Sequence, residues 1–265
     1  MGREHRIISS LQGTAVPVPV TLGYCDDPAV NDAPFYVMRY VDGHVVRDLD
    51  AAHRLLSPAA RRNASESLID TMVAIHSVDL DATGLTTLGK HEGYIQRQLK
   101  RWYGQWQQQH TRELPDVDLA HELLTRLVPE QGPATIVHGD YRLDNLMFAS
   151  SAGGYPVAAV DWQTPGQGPA SADVSYFMGA GPLPDDRRSS ERSIVAEYLG
   201  ALEGYGVRVD ESEFWRHYAR DAYGGIIMSV VASQIVGGSD RSEAMFAAMA
   251  TRHTRHALDL GSESL

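Results

Sequence analysis

Residues 3–12 (REHRIISSLQ) alternate polar and apolar positions as a short helix does, or the end of a longer one, with Gly13 placed to cap it. VPVPV at 16–20 is extended, because alternating prolines exclude helix and suit an edge strand or polyproline stretch. A turn at Asp26-Asp27-Pro28 leads into FYVMRYV at 35–41, whose aromatic and β-branched density predicts a strand that Asp42-Gly43 closes. Beyond residue 55 the pattern turns helical. Ser57 is an N-cap type and Pro58 fits the first helical position, so a helix is expected from there to about Ile75. Further helices are expected at 92–110 and 117–127. TIVHG then reads as a short strand, Leu146 to Val160 as a hairpin, and 189–204, 211–236 and 239–258 as helices. The predicted class is α+β: a strand-containing piece over 1–42 feeding a mainly helical lobe over 43–265. There are no internal repeats and no low-complexity linker.

Composition narrows this picture. The 265 residues suffice for one large domain or two modest lobes, and 43% hydrophobic with 22% charged residues is ordinary for a globular chain. No apolar run reaches the roughly 18 residues of a membrane span, and Met1 to Arg6 lack a signal-peptide apolar core. Cys25 is the single cysteine, so an internal disulfide is excluded and a cytoplasmic location is expected. The net charge of −11 argues against nucleic acid as a partner and is compatible with cationic substrates or bound Mg²⁺. Of the 23 basic residues only Lys90 and Lys100 are lysines.

The chemistry concentrates in 136–162, IVHGDYRLDNLMFASSAGGYPVAAVDW. LMF and VAAV flank a turn-rich SSAGGYP, which predicts an antiparallel hairpin with its tip near Gly153. In that register Asn145 lies opposite Asp161, so an amide oxygen and a carboxylate meet at the open end. Asp140 sits five residues before Asn145, in the loop entering the hairpin. Three oxygen-bearing side chains then converge. Mg²⁺ takes one or two carboxylates plus amide, phosphate and water oxygens, and a separate carboxylate must orient the attacking hydroxyl and accept its proton. Arg142, two residues past Asp140, faces the same space and can stabilise charge on a transferring phosphoryl group. His138 reads as structural, its ring bonded to nearby backbone, because no second His or Cys stands at zinc-like spacing.

At these residues the chain resembles the aminoglycoside phosphotransferase and choline kinase family, relatives of protein kinases. VHGDYRLDN resembles the catalytic loop, which implies Asp140 as catalytic base and Asn145 as metal ligand. AVDW resembles the second metal motif, which implies Asp161 as the metal aspartate. Arg142 stands where protein kinases often carry a phosphate-facing lysine. GPASADVSYF resembles the stretch in which an aspartate, here Asp173, braces the catalytic loop through backbone hydrogen bonds. APFYVMRYVDG resembles the strand and hinge that hold a purine, which implies Met38 in the pocket and the backbones of Arg39 and Val41 on the adenine edge. REHRIISSL resembles the small-lobe helix, with Glu4 as its glutamate, and His76 in LIDTMVAIHSVD resembles a packing residue. The DWQTPGQGP wording is nearest a bacterial branch related to the kinase-like domain fused to some acyl-CoA dehydrogenases.

The resemblance implies a protein-kinase-like two-lobe fold, ATP or GTP with Mg²⁺, and a small-molecule hydroxyl as acceptor: a hydroxy acid, an aminoglycoside or a similar alcohol. The acceptor site is expected between the 92–110 helix and the helices after Asp161, with Trp102, Tyr103, Trp106, Trp215, Tyr218 and Tyr223 as candidates. The family's glycine-rich loop and strand lysine have no counterpart ahead of Glu4, and both lysines follow the hinge. An incomplete N-lobe is therefore expected, with poor nucleotide affinity and negligible activity of the chain as given. An exposed strand edge in such a lobe can promote homodimerisation. The alternative reading is a nucleotide-binding or scaffolding pseudokinase. A metallophosphohydrolase would need more His and Asp ligands than this loop offers.

Overall fold

The computed structural model describes residues 1–262 apart from positions 48, 90–91, 110–112, 114, 127, 129–133, 150–156 and 236–239. Helix α1 (Gly2–Leu11) buries Glu4, Ile7, Ile8 and Leu11 along one stripe and packs on the antiparallel pair β1 (Thr21–Cys25) and β2 (Phe35–Met38). The partner of FYVM is thus TLGYC, one segment later than the proline-rich stretch that the sequence offered as extended. VPVPV has a different task. Val16 and Val18 are buried, and the Pro17 carbonyl accepts the Ala159 amide at 2.9 Å. This contact ties the N-terminal piece to the hairpin that follows the catalytic-type loop.

Helix α2 (Leu49–Leu55) precedes α3 (Pro58–His76), whose first turn is capped by the Ser57 hydroxyl accepting from the Ala60 amide at 3.2 Å. Helices α4 (Tyr94–Gln109) and α5 (Pro115–Arg126) pair with each other. Two small antiparallel sheets follow: β3 (Thr135–Val137) with β6 (Gly166–Gly168), and β4 (Leu146–Phe148) with β5 (Val157–Ala159). The chain ends in α6 (Ala170–Ala180), α7 (Pro184–Gly204), α8 (Glu211–Ile235) and α9 (Asp240–Asp259).

Helix α6 is the hub. It touches α3, α7, α8, α9 and β3 and buries Ser171, Asp173, Val174, Ser175, Tyr176, Met178 and Gly179. A helix enclosed on every side carries no polar stripe, which is why the amphipathic pattern missed it. The main core joins Ile7, Leu11, Ile75, Ile136, Leu146, Trp162, Tyr198 and Tyr218 across both regions of the chain. Among the described residues no helix is long and apolar enough to cross a membrane.

The α6–α8 seam holds a carboxyl with an unusual titration. Ser171 donates to Asp221 Oδ2 at 2.6 Å. Burial pushes Asp221 up to about 6, and the nearby charge of Asp173 adds to it against the opposing effects of Ser171 and Arg220. The folded chain therefore binds this proton more tightly than the unfolded one. Asp221 costs stability progressively as pH rises from about 4 through 6, by about 3 kcal/mol in all. Asp221→Asn keeps an acceptor for Ser171 and removes the titration. Its stability relative to the parent, from urea melts at pH 4 and pH 7, is expected to rise by about that amount. Parallel pH curves for the two proteins would contradict the assignment.

Candidate active site

The loop between β3 and β4 is held from below by one buried carboxylate. Asp173, 1% exposed on α6, accepts the His138 amide at 2.6 Å and the Gly139 amide at 2.9 Å. His76 Nε2 lies 3.3 Å from the same carboxylate, and His76 Nδ1 is 2.6 Å from the Tyr198 hydroxyl. Burial alone would raise the Asp173 pKa. The His76 hydrogen bond and charge, the His138 charge and the Gly139 amide outweigh it and hold the carboxyl below its ordinary range. Gly139 takes φ +79°, and a Cβ there would meet the Thr164 carbonyl at 2.5 Å, so only glycine lets the loop turn this closely. The His138 ring bonds the Val160 carbonyl through Nε2 at 3.0 Å and packs on Trp162, ring centres 4.7 Å apart. Tyr141 anchors the far side, its hydroxyl donating to the Leu68 carbonyl at 2.7 Å.

On this platform the Asp140 carboxylate is partly open, its side chain 22% exposed. Asn145 Nδ2 donates to Asp140 Oδ2 at 2.8 Å and to the Asp140 carbonyl at 2.9 Å. Tyr176 of α6 donates its hydroxyl to Asp140 Oδ1 at 2.8 Å. Arg142 Nε lies 3.2 Å from the same Oδ1. The other end of the guanidinium reaches toward Asp144 at 3.7 Å and toward the sulfurs of Met249 and Met245 on α9 at 3.5 and 4.0 Å. Beside it, Tyr176, Phe246 and Met249 form a separate apolar cluster with Met245 and Ala232 at its margin.

Asp161 departs from the sequence expectation. The β4–β5 register pairs Leu146 with Ala159, and the Val160 amide bonds the Asn145 carbonyl at 3.0 Å. Asn145 therefore faces Val160, and Asp161 lies one residue beyond its predicted partner. Its backbone is left-handed at φ 60°, the only non-glycine positive φ among the described residues. That turn ends the strand and leaves Asp161 exposed while Trp162 is fully buried. Left-handed backbone at a residue other than glycine is uncommon and collects at functional sites. The charge of Asp161 is felt in the N-terminal piece. Burial pushes the Tyr36 phenol up to about 12, helped by the charge and hydrogen bond of Glu4 and the charge of Asp161. Glu4 of α1, Tyr36 of β2 and Asp161 thus share one locality.

The remaining candidates divide. Met38 is 42% exposed on β2, and Arg39 gives its amide to the Val20 carbonyl at 2.7 Å. Val41 lies just past that strand. Tyr218, a sequence candidate for the acceptor site, is fully buried and donates to Glu191 at 2.7 Å, so it belongs to the core. Trp215 packs edge-on against Tyr218 and beneath Arg192. Tyr103 stacks on His121 with ring centres 3.8 Å apart and joins α4 to α5. The Trp102 side chain lies outside the described residues, and Tyr223 is 42% exposed. Tyr176, Met245 and Met249 escaped the sequence reading. Tyr176 had a usable signal, since three residues after Asp173 on a helix is the same face.

The loop, the short hairpin and the enclosing helices form an α+β fold of the protein-kinase-like kind. The model of the phosphotransferase enzyme family (APH) matches residues 1–212, and the chain belongs to that family. It is 36% identical over 182 residues to acyl-CoA dehydrogenase family member 10 of Mus musculus, covering 69% of this chain and 17% of that protein. It is 31% identical over 176 residues to acyl-CoA dehydrogenase family member 11 of Homo sapiens, covering 66% and 22%. The chain thus spans about a fifth of the length of these curated relatives. Among solved structures, a Ralstonia eutropha protein carrying a provisional aminoglycoside phosphotransferase name aligns with a TM-score of 0.67 and 28% identity, over 98% of this chain and 82% of that one. A Plasmodium vivax ethanolamine kinase shares the fold, with a TM-score of 0.57 at 10% identity over 96% and 71%.

Proposed function

We propose that the protein transfers a phosphoryl group from ATP to a hydroxyl of a small molecule, with Asp140 as the base. The observation that carries this reading is the state of the Asp140 carboxylate, partly open to solvent yet gripped by Asn145, Tyr176 and Arg142. A carboxylate offers about four acceptor positions. On Oδ1 the Tyr176 hydroxyl takes one and the Arg142 guanidinium, an ion-pair partner 3.2 Å away, crowds the other, while on Oδ2 one is taken by Asn145. The free position on Oδ2 accepts the proton of the acceptor hydroxyl. The deprotonating oxygen forms its bond to the γ-phosphorus as the bond to the β–γ bridging oxygen breaks, leaving ADP and a phosphate ester. Arg142 sits beside this path and balances charge on the moving group.

The residues fit Mg²⁺. Asn145 spends its amide nitrogen on Asp140, which leaves its carbonyl oxygen for a cation, and among the described residues no Lys, Arg or His lies within 4 Å of the Asp161 carboxylate. Asn145 and Asp161 would hold the ion. Among the described residues there is no cluster of three or more His, Cys, Asp or Glu able to hold a metal, so the nucleotide phosphates complete the shell, as Mg²⁺ prefers. When bound, the ion neutralises phosphate charge. We assign Glu4, whose charge and hydrogen bond act on Tyr36, to the nucleotide side with Met38, Arg39 and Val41, as the family resemblance implies.

On the acceptor side, the partly open guanidinium of Arg142 and Met245, at the margin of the buried cluster of Phe246 and Met249, suit a molecule with an apolar body and an anionic group. A hydroxy acid meets both demands. The structure of a streptomycin–ATP complex of an aminoglycoside phosphotransferase shares the fold, and the chain's own charge of −11 makes a cationic aminoglycoside the competitor. The test offers short and medium-chain hydroxy acids, ethanolamine and streptomycin with Mg·ATP and looks for phosphate esters by ³¹P NMR. Hydroxy acids are expected to be phosphorylated, and longer apolar chains are expected to lower KM. Preferential phosphorylation of streptomycin or ethanolamine would contradict the acceptor assignment.

A further inference from the structure

Tyr176 stands one helical turn beyond Asp173 on α6, so one short helix both braces the backbone of the loop and reaches its carboxylate. Only 8% of the residue is exposed, yet its hydroxyl points out of the core and onto Asp140 Oδ1. Its ring is held from behind. His253 of α9 packs against it with ring centres 5.2 Å apart at 30°. His253 is fully buried, and neither of its ring nitrogens has a hydrogen-bond partner. An unpaired polar ring in the interior costs free energy, so hydrogen bonding does not explain its presence there.

Packing does explain it. A Cβ on Gly179 of α6 or on Gly225 of α8 would overlap the His253 ring. The two glycines open a slot between the helices, and the imidazole fills it up to the back of Tyr176. Burial pushes the imidazole down to about 4, with the neighbouring His256 adding to the effect, so the ring is neutral there near pH 7. Burial, and next the charge and hydrogen bond of Asp140, raise the Tyr176 phenol. It therefore stays protonated and remains a donor.

We propose that Tyr176 is a positioning residue for the transfer reaction: by occupying Asp140 Oδ1 it fixes Oδ2 as the oxygen that receives the acceptor's proton. The proposal rests on Asp140 being the base. Tyr176 does not touch the reacting atoms in this role; it acts through Asp140. A tyrosine present only to fill space would work equally well without its hydroxyl.

Tyr176→Phe removes that single group and keeps the ring against His253. With Mg·ATP and water as the acceptor, kcat for phosphate release is expected to fall about tenfold, less than the roughly hundredfold or more that loss of a group acting directly on the reacting atoms costs. KM for Mg·ATP is expected to stay within about twofold. Parent kcat in this variant overturns the proposal, and so does a loss expressed in KM. Asp140→Asn, measured alongside, isolates the premise: parent turnover there means Asp140 is not the base, whatever Tyr176 does. Crystal structures of the parent and Tyr176→Phe give a readout that needs no turnover. The Asp140 carboxylate is expected to rotate when the phenol is gone, and an unchanged Asp140 side chain overturns the proposal.

Discussion

Asp140→Asn is expected to reduce phosphoryl transfer by about a thousandfold while leaving the melting temperature nearly unchanged. The size follows from removing a positioned general base, which typically costs two to four orders of magnitude. The unchanged stability follows from the surroundings. Asp140 is partly exposed and the amide oxygen of asparagine still accepts from Tyr176, while its nitrogen, which meets the Asn145 Nδ2 donor, gives up one hydrogen bond that water can replace, at a cost of about 1 kcal/mol. An amide cannot take the acceptor's proton, so KM for Mg·ATP is expected to hold while kcat falls. Steady-state kinetics and a thermal melt on one preparation check both halves. A variant that keeps a tenth or more of parent kcat would remove Asp140 from the chemistry.

Arg187→Ala is expected to give the largest loss of stability among these substitutions, about 3–5 kcal/mol, the cost of breaking a buried ion pair from one side. Arg187 is 2% exposed at the start of α7 and pairs with Glu191 at 3.0 Å and with Asp259 of α9. Glu191 in turn accepts from the Tyr218 hydroxyl at 2.7 Å and lies 2.7 Å from His256 Nε2. Burial would raise the Glu191 carboxyl. The bonds from His256 and Tyr218 and the charges of His256 and Arg187 prevail and keep it low, and therefore ionised near pH 7. Removing Arg187 strands that charge among α7, α8 and α9. Arg187→Met combined with Glu191→Leu takes out both charges and is expected to cost far less than the single change. Urea titrations of the single and double variants measure the difference. A single variant within about 1 kcal/mol of the parent would contradict the role given to this network.

The catalytic-type loop was legible because its chemistry is compressed into a few residues: His138, Gly139, Asp140 and Asn145 fall within one turn-and-strand entry, and their spacing alone brings them together. The position of Asp161 in the pairing was off by one residue. A tip near Gly153 would set Asn145 against Asp161, but the strands already pair one residue earlier from the pair of Phe148 with Val157 onward, and the left-handed backbone at Asp161 falls beyond the last pair. Ser57 and Pro58 marked the start of α3 by local capping chemistry that needs no tertiary contact. Helix α6 gave no such sign, because Ser171, Asp173 and Ser175 are polar residues satisfied inside the core. Tyr218 looked like a ligand-facing aromatic because the periodicity of α8 does not say which face α6 and α9 cover. What stayed hidden therefore depended on partners far along the chain: Tyr176 on Asp140, His253 between two glycines, and Met249 beside Arg142.

The central claim is that Asp140, Asn145 and Asp161 form one Mg²⁺-dependent phosphoryl-transfer site. Because the sequence leads one to expect poor nucleotide affinity and far less than ordinary turnover, its most direct test is ³¹P NMR followed over days on concentrated protein with millimolar Mg·ATP and a hydroxy acid, run for the parent, for Asp140→Asn and for the parent in EDTA. The account predicts a phosphate ester growing in step with ADP in the parent sample alone. No ester in the parent, or ester formed equally by Asp140→Asn or in EDTA, would contradict it.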